Sequence, residues 1–511
     1  MNRFARYVVF AALAAFCAGP FSNFASAQKA KDTLRFPMSD GESAIDPYLI
    51  PGVFNNIWEP SIWDNLLGFD PKNLEFTPLL AKSWSQPDPT TYDYELRDDV
   101  TWHDGQKFDA DDVVYTINYL IDPKVNLRYK SNWAWLATIE KLGPYKVRIK
   151  SKTPVPAGMM WMAYNTPIFP EHIHAPLADK QAFGTKPIGT GPLKIARIDK
   201  NAGIIAERNP DFKEAPSKRA SGVGRVVAEV IPDSGTLVAK LLRGEVDMGR
   251  DIPADQAIAL KESGQFEFTV SPPALGYSIL SFPTTGQQNV KALADPRVRL
   301  AIIKAIDRKD LLVAQYGDLG KTMTPHPGLC SKEQLGCGYS REVPDYDPAG
   351  AKKLLAEAGY PDGFTVTIAA STPNEATAVA GMLRQVGIRA TLRMTTLAQR
   401  VQALSQGRIE IGLFGWSGGG MFEVSSQIVR HFLSNEYDDA VLAKMAADTN
   451  TMMNDAERRK AVAKVMDYAN ENAYAFPVTP IRVIFVHTQD VRLLATDVRA
   501  GQVQPHEFGW K

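Results

Sequence analysis

The sequence predicts an α/β protein, and three observations carry that expectation. The hydrophobic repeat switches between strand and helix periods within single stretches, and capping residues and exit glycines sit where it switches. From Asp345 onward, strand-like and helix-like segments alternate regularly. Composition agrees: of 511 residues 45% are hydrophobic and 22% charged, which suits a globular chain of about two to four domains with a large core. Lys and Arg total 57, as do Asp and Glu, so the charge balance favours neither nucleic acid nor a membrane surface as partner.

At the N-terminus, Arg3 and Arg6 precede an apolar run over residues 7–18, and Ala25-Ser26-Ala27 supplies a small-residue cleavage site. This is the layout of a cleavable export signal, and the run is too short for a stable membrane anchor. The mature chain is expected to begin at Gln28, with 55 basic against 57 acidic residues once Arg3 and Arg6 are lost. Phe16 occupies the position where a lipobox ahead of Cys17 wants a small residue, so lipid modification is not expected. Cys330 and Cys337 then remain as a pair around a short polar loop. In an oxidising compartment that pair reads as a disulfide worth ~2–3 kcal/mol on the loop-entropy model. A metal reading lacks a nearby His or a second cysteine pair.

Residues 79–120 hold the clearest local signal. Tyr92, Tyr94 and Leu96 alternate with polar residues, a turn falls at His103-Asp104-Gly105, and a helix opens at Asp109 with Val113, Val114, Ile117 and Leu120 on one face. Residues 295–314 read as one helix with Asp295 as cap, Pro296 in its first turn, and Ile302, Ile306 and Val313 apolar. Asp347 caps the next helix, with Pro348 at its first position, Leu354 and Leu355 inward and Gly359 at the exit. A strand at 364–370, a helix at 376–386 ended by Gly387, and a strand at 388–394 follow. A helix at 397–405 stopped by Gly407, a strand at 409–414 and a long helix at 455–472 complete the series. Such alternation implies a largely parallel sheet, with ligands favoured at the carboxyl ends of its strands.

The order of residues in 79–120 closely resembles the hallmark module of family 5 solute-binding proteins, the peptide- and nickel-type receptors of ABC importers. Three further stretches extend the likeness: PIGTGPLKIARIDKNAGIIAERNP at 187–210 followed by GEVDMG at 244–249, DPRVRLAIIKAIDR at 295–308, and DYDPAGAKKLLAEAGYPDGF at 345–364. The resemblance implies a two-lobed periplasmic binding protein fold of class II, cluster C type, with an extra subdomain inserted in the first lobe. Residues 28–69 and 186–280 would form that lobe, 70–185 the insertion, 281–479 the second lobe, and 480–511 a return to the first. It also implies a periplasmic, monomeric receptor that captures a di- or oligopeptide or similar small solute between its lobes. Delivery would be to the transmembrane subunits of an ABC permease, with no cofactor, no bound metal and no catalysis.

The sharpest competing motif is Gly415-Trp416-Ser417-Gly418-Gly419, which fits the nucleophile elbow of an exported serine hydrolase with His487 or His506 as later base. An elbow must feed a helix whose first amide builds the oxyanion hole, and the run Gly418 to Gly420 is a poor helix start. As a binding wall the segment makes better sense, since glycines let backbone groups approach a ligand and Trp416 offers a broad apolar face. The resemblance likewise puts Gly415, Trp416 and Ser417 in the cleft. Peptide-binding members carry an acidic residue soon after that Trp; here the expected Asp is missing and Glu423 is either its substitute or a solvated helix residue, so oligosaccharides, opines and metal chelates stay open beside peptides. Gly52, Val53, Phe54 and Trp58 match a segment that approaches the ligand in the family, and Tyr277 lies near the expected crossover. Arg393, at a strand end, is a candidate partner for a carboxylate, against the reading of a surface arginine. His172 and His174 make a poor metal set without a carboxylate or cysteine beside them. Gly189 to Gly191 lacks the GK[ST] of a phosphate loop, which excludes a P-loop ATPase.

Overall fold

The computed structural model describes residues 32–50, 53–271, 276–284, 290–331, 334–340, 342–416, 422–425, 428, 432, 436–493 and 503–511, with backbone only at 53–56, 397, 398 and 401. The expected leader, Gly52 and Ser417 lie outside these residues. The architecture is a two-lobed α/β fold with separate hydrophobic cores.

The first core gathers around a four-stranded sheet in which Thr33–Met38 runs parallel to Arg225–Val230, followed by Gly203–Arg208 and Leu193–Asp199 in antiparallel order. The GEVDMG stretch is tied to the first strand by Asp247, whose carboxylate accepts from the backbone N–H and from both Nε and Nη2 of Arg35. Immediately after it, Met248–Arg250 joins a three-stranded sheet whose central strand is Ile484–Thr488 and whose other edge is Phe266–Val270. The end of the chain closes on the beginning: Trp510 donates from Nε1 to Asp32 at 2.9 Å.

The 79–120 module folds as its periodicity requires. Thr91–Leu96 buries Tyr92, Tyr94 and Leu96 within an antiparallel sheet also containing Ala81–Asp88, Lys146–Ser151 and Leu136–Gly143. Helix Ala110–Ile121 lies against that sheet, buries Val113, Ile117 and Leu120, and is opened by a capping box between Asp109 and Asp112. His103 is buried beside the turn. Its Nδ1 accepts from the Gly189 N–H at 3.1 Å, its Nε2 donates to the Gly191 carbonyl at 3.0 Å, and its own N–H donates to the Gly189 carbonyl. This neutral imidazole therefore stitches the module to the PIGTG stretch. Gly189 is obligatory there, because an added Cβ would sit 1.8 Å from the Ile62 carbonyl oxygen. Of the other histidines of this region, His172 pairs with Asp104 at 2.8 Å and His174 bonds the Tyr115 hydroxyl.

The second core surrounds a five-stranded sheet ordered Arg389–Met394, Thr365–Ala370, Ile411–Trp416, Tyr277–Ser281, Ala475–Pro480. Only Tyr277–Ser281 runs against the rest. The βαβ alternation thus gives a parallel set, and one antiparallel strand enters from the crossover. Helix Pro348–Glu357 has the Asp347 cap and the Gly359 exit at φ +90° that the sequence calls for. Helix Pro373–Gln385 starts three residues earlier than expected, because Pro373 suits the first helical position. Two corrections concern 295–314. It forms two helices, Pro296–Lys304 and Arg308–Tyr316, because the Asp307 carboxylate caps the second by accepting from Lys309 and Asp310 N–H groups. The break rotates the face, so Leu311 and Leu312 are buried and Val313 is exposed.

Burial pushes the His103 pKa down to about 4, against an ordinary value near 6.5. A depressed folded-state pKa means that His103 contributes fully above pH 6.5 and that its contribution is lost as pH falls towards 4. The stability advantage of the native chain over His103→Gln should therefore shrink across that interval by up to roughly 3 kcal/mol. Paired urea titrations from pH 7 to pH 4 measure it; a constant difference would contradict a neutral buried imidazole.

Candidate ligand-binding site

Four strands of the second-lobe sheet point their carboxyl ends one way, and the antiparallel strand begins at the same edge. Register sets Tyr277 opposite both Trp416 and Pro480, and Ser278 opposite Gly415. Three of the sequence candidates, Tyr277, Gly415 and Trp416, are thereby brought together. Tyr277 is held hard: its ring stacks on His326 at 4.3 Å and its hydroxyl donates to the Leu329 carbonyl at 2.6 Å. Trp416 packs beside it in a cluster with Leu329, Cys330, Cys337 and Val424, and is 5% exposed. Gly415 is the exposed member of its strand, and a Cβ there would meet Ile481 Cδ1 at 3.1 Å.

The same edge carries a carboxyl group that the sequence did not mark. Glu375, in the first turn of Pro373–Gln385, is 3% exposed and accepts from Ser278 Oγ at 2.8 Å and Thr479 Oγ1 at 2.7 Å. Burial raises its pKa. It ties together strands Tyr277–Ser281 and Ala475–Pro480, the two that lead to the other lobe. An acidic residue in a first helical turn reads from sequence as a partner for the helix dipole, and only the fold shows two hydroxyls converging on it.

Beyond that edge the chain passes between lobes twice. Ile481 N–H donates to Gly276 O at 2.9 Å, Ser271 N–H to Val483 O at 2.8 Å, and Val483 N–H to Ser271 Oγ at 3.0 Å. Tyr316 adds a bridge, its hydroxyl donating to Pro480 O and accepting from Arg482 N–H, both at 3.0 Å.

Other candidates fall elsewhere. Trp58 is wholly buried in the first-lobe core, on helix Val53–Ile62, which also holds the backbone of Val53 and Phe54. Arg393 lies on the edge strand, exposed, and donates from Nη2 to the Arg408 carbonyl at 2.8 Å. Glu423 is 1% exposed and engaged inside the second lobe, where it forms an ion pair with Arg458 and accepts from Ser425 N–H at 2.7 Å. His487 bonds Thr488 O and Thr269 Oγ1, and His506 bonds Ser61 Oγ, so both stand among first-lobe elements. Cys330 and Cys337 form a disulfide with Cα atoms 5.9 Å apart. A cavity of about 590 Å³ lined by Tyr115, Tyr119, Lys124 and Lys180 involves none of the candidates. Among the described residues no helix is long and apolar enough to cross a membrane.

The model of the bacterial extracellular solute-binding proteins, family 5 (middle), matches residues 75–439. The chain belongs to that family. This family 5 protein is a solute-binding protein of the ABC-importer class. The glutathione-binding protein GsiB of Salmonella paratyphi A is 27% identical over 389 residues, which cover 73% of each chain, and its counterpart in Escherichia coli K12 is 26% identical over 387. Among solved structures, DppA of Helicobacter pylori in complex with the peptide STSA aligns with TM-score 0.77 at 21% identity, covering 94% of this chain and 99% of that one. NikZ of Campylobacter jejuni in complex with Ni(L-His) aligns at 0.76 with 23% identity and the same coverage. These structures share the two-lobed fold.

Glu423→Ala should cost this family 5 protein about 3–5 kcal/mol, because Arg458 would be left buried without its carboxylate. Urea denaturation followed by circular dichroism reads the loss; a change under 1 kcal/mol would mean that the pair is solvated.

Proposed function

We propose that this receptor closes on glutathione or a short peptide and hands it to the permease subunits of an ABC importer. The mature chain starts after Ala27 and acts in the periplasm as a monomer. Residues 28–69, 186–280 and 480–511 make the first lobe, 70–185 an inserted subdomain, and 281–479 the second lobe. One observation carries the binding role: Tyr277, Gly415 and Trp416 share the carboxyl edge of the second-lobe sheet, directly beside the paired crossings. A ligand there meets the exposed backbone of Gly415 and the edge of Trp416, with the wholly buried Tyr277 packed behind them as support.

Closure follows when a ligand makes contacts in the closed form that the open form cannot offer. Moving the population from 1:99 to 99:1 takes about 5.5 kcal/mol of such preference, within the range of one aromatic face and several hydrogen bonds. The ligand class rests on the curated relatives named as glutathione-binding proteins and on peptide-bound structural neighbours. Neighbours bound to agropinic acid and to Ni(L-His) define the competitors.

Thermal-shift and calorimetric titration of the mature protein with glutathione, di- and tripeptides, agropinic acid, Ni(L-His) and an oligosaccharide tests the assignment. Glutathione or a peptide should raise the melting temperature and bind without turnover; a response only to the opine, the chelate or the sugar would overturn the ligand while leaving the family intact. Trp416→Ala should weaken binding at least tenfold in the same titration, with the urea midpoint recorded alongside because its ring is part of a core.

A further inference from the structure

We infer that Phe422, backed by Leu335 and the Cys330–Cys337 disulfide, is a latch that draws the second lobe onto the first, so that closure is favoured by the protein's own contacts as well as by those of a ligand. Phe422 belongs by sequence to the second-lobe region, yet its ring is buried in the first-lobe core. Its centroid lies 5.5 Å from that of Phe69 and 5.8 Å from that of Tyr164. Phe69 sits on strand Leu67–Asp70, Tyr164 ends helix Gly158–Tyr164, and Phe76 packs edge-on to Phe69 at 5.3 Å, so the receiving surface is an aromatic recess built entirely by the first lobe.

The latch is mounted on a stiff base. Leu335 N–H donates to Phe422 O at 2.7 Å and Val424 N–H to Leu335 O at 3.0 Å, a short β-bridge between the segment at 422–425 and the disulfide loop. Leu335 also packs against the first-lobe core, so the bridge presents two apolar side chains to the same partner. On the other side Val424 is buried with Cys330 and Cys337 in the second lobe. The ion pair of Glu423 with Arg458 fixes the residue between them, and Arg458 also donates to Ser425 Oγ and Thr449 O. Gly336 closes the turn at φ +76°, where a Cβ would meet the Arg458 guanidinium at 2.7 Å.

The hydrogen bonds and ion pair just described are within the second lobe, and the apolar contacts of Phe422 and Leu335 are across the lobes. Burial of an aromatic ring is the kind of free energy that separation of the lobes must give back. Because the contact uses no ligand atom, the inference does not depend on which solute is bound.

The test is the interlobe distance in the ligand-free mature protein, read by electron–electron double resonance between nitroxide labels at Lys72→Cys and Lys444→Cys, both exposed and on opposite lobes. Phe422→Ala should lower the ratio of short to long distances about tenfold or more, equivalent to about 1.4 kcal/mol. Phe422→Leu should fall between, and the Cys330→Ser, Cys337→Ser pair should shift the ratio the same way by less. A Phe422→Ala distribution that superimposes on the native one overturns the latch. If that variant fails to fold by circular dichroism, Phe422→Leu decides by the same criterion. Because no solute is added, this outcome is separate from failure of the glutathione or peptide assignment.

Discussion

The two passages of the chain between lobes satisfy each other's backbone groups, and the function of the molecule depends on that pairing. A connection between two rigid bodies must expose N–H and C=O groups or find partners for them, and unpaired groups out of water are costly. Here the partners are mutual: Ser271 with Val483, Gly276 with Ile481, and Tyr316 spanning Pro480 and Arg482. Such pairing lets the two crossings bend together as one unit, as hinge closure requires. Glu375 extends the constraint into the second lobe by holding Ser278 and Thr479 together.

The candidate wall inherits its rigidity from the same place. Tyr277 and Trp416 begin where the paired crossings end, and their side chains are buried against His326, Leu329 and the disulfide. A wall that is already ordered loses little entropy on binding, which leaves more of each contact for closure. The first lobe is braced differently. There, a neutral His103 joins the 79–120 module to Gly189, the Asp247 carboxylate holds Arg35 of the first strand, and Gly189 lets the backbone approach Ile62.

The sequence made the local parts legible. Asp109 and Asp347 open helices with their carboxylates, Gly359 follows the exit of one at positive φ, and Tyr92, Tyr94 and Leu96 face inward as strand period requires. What it concealed depends on residues far apart. Asp307 reads as one more polar residue in a long helix until its carboxylate is seen to cap a new one. Glu423 reads as a ligand anchor or a solvated acid until Arg458, 35 positions later, is placed against it. Trp58, too, reads as a ligand contact by its place in the chain, and the first-lobe core encloses it. Glu375 and Phe422 had no local signal, since their partners come from other strands and from the other lobe.

The strand order of the first lobe has a consequence for biogenesis. Thr33–Met38 pairs with a strand beginning at Arg225, and the small sheet beside it is centred on Ile484–Thr488. A polypeptide emerging N-terminus first therefore cannot complete this lobe until nearly all of it has been made, whereas the βαβ units between Pro348 and Trp416 join neighbours close in sequence. The first-lobe sheets are therefore among the last to close, so assembly of this molecule ends near the point where its synthesis began.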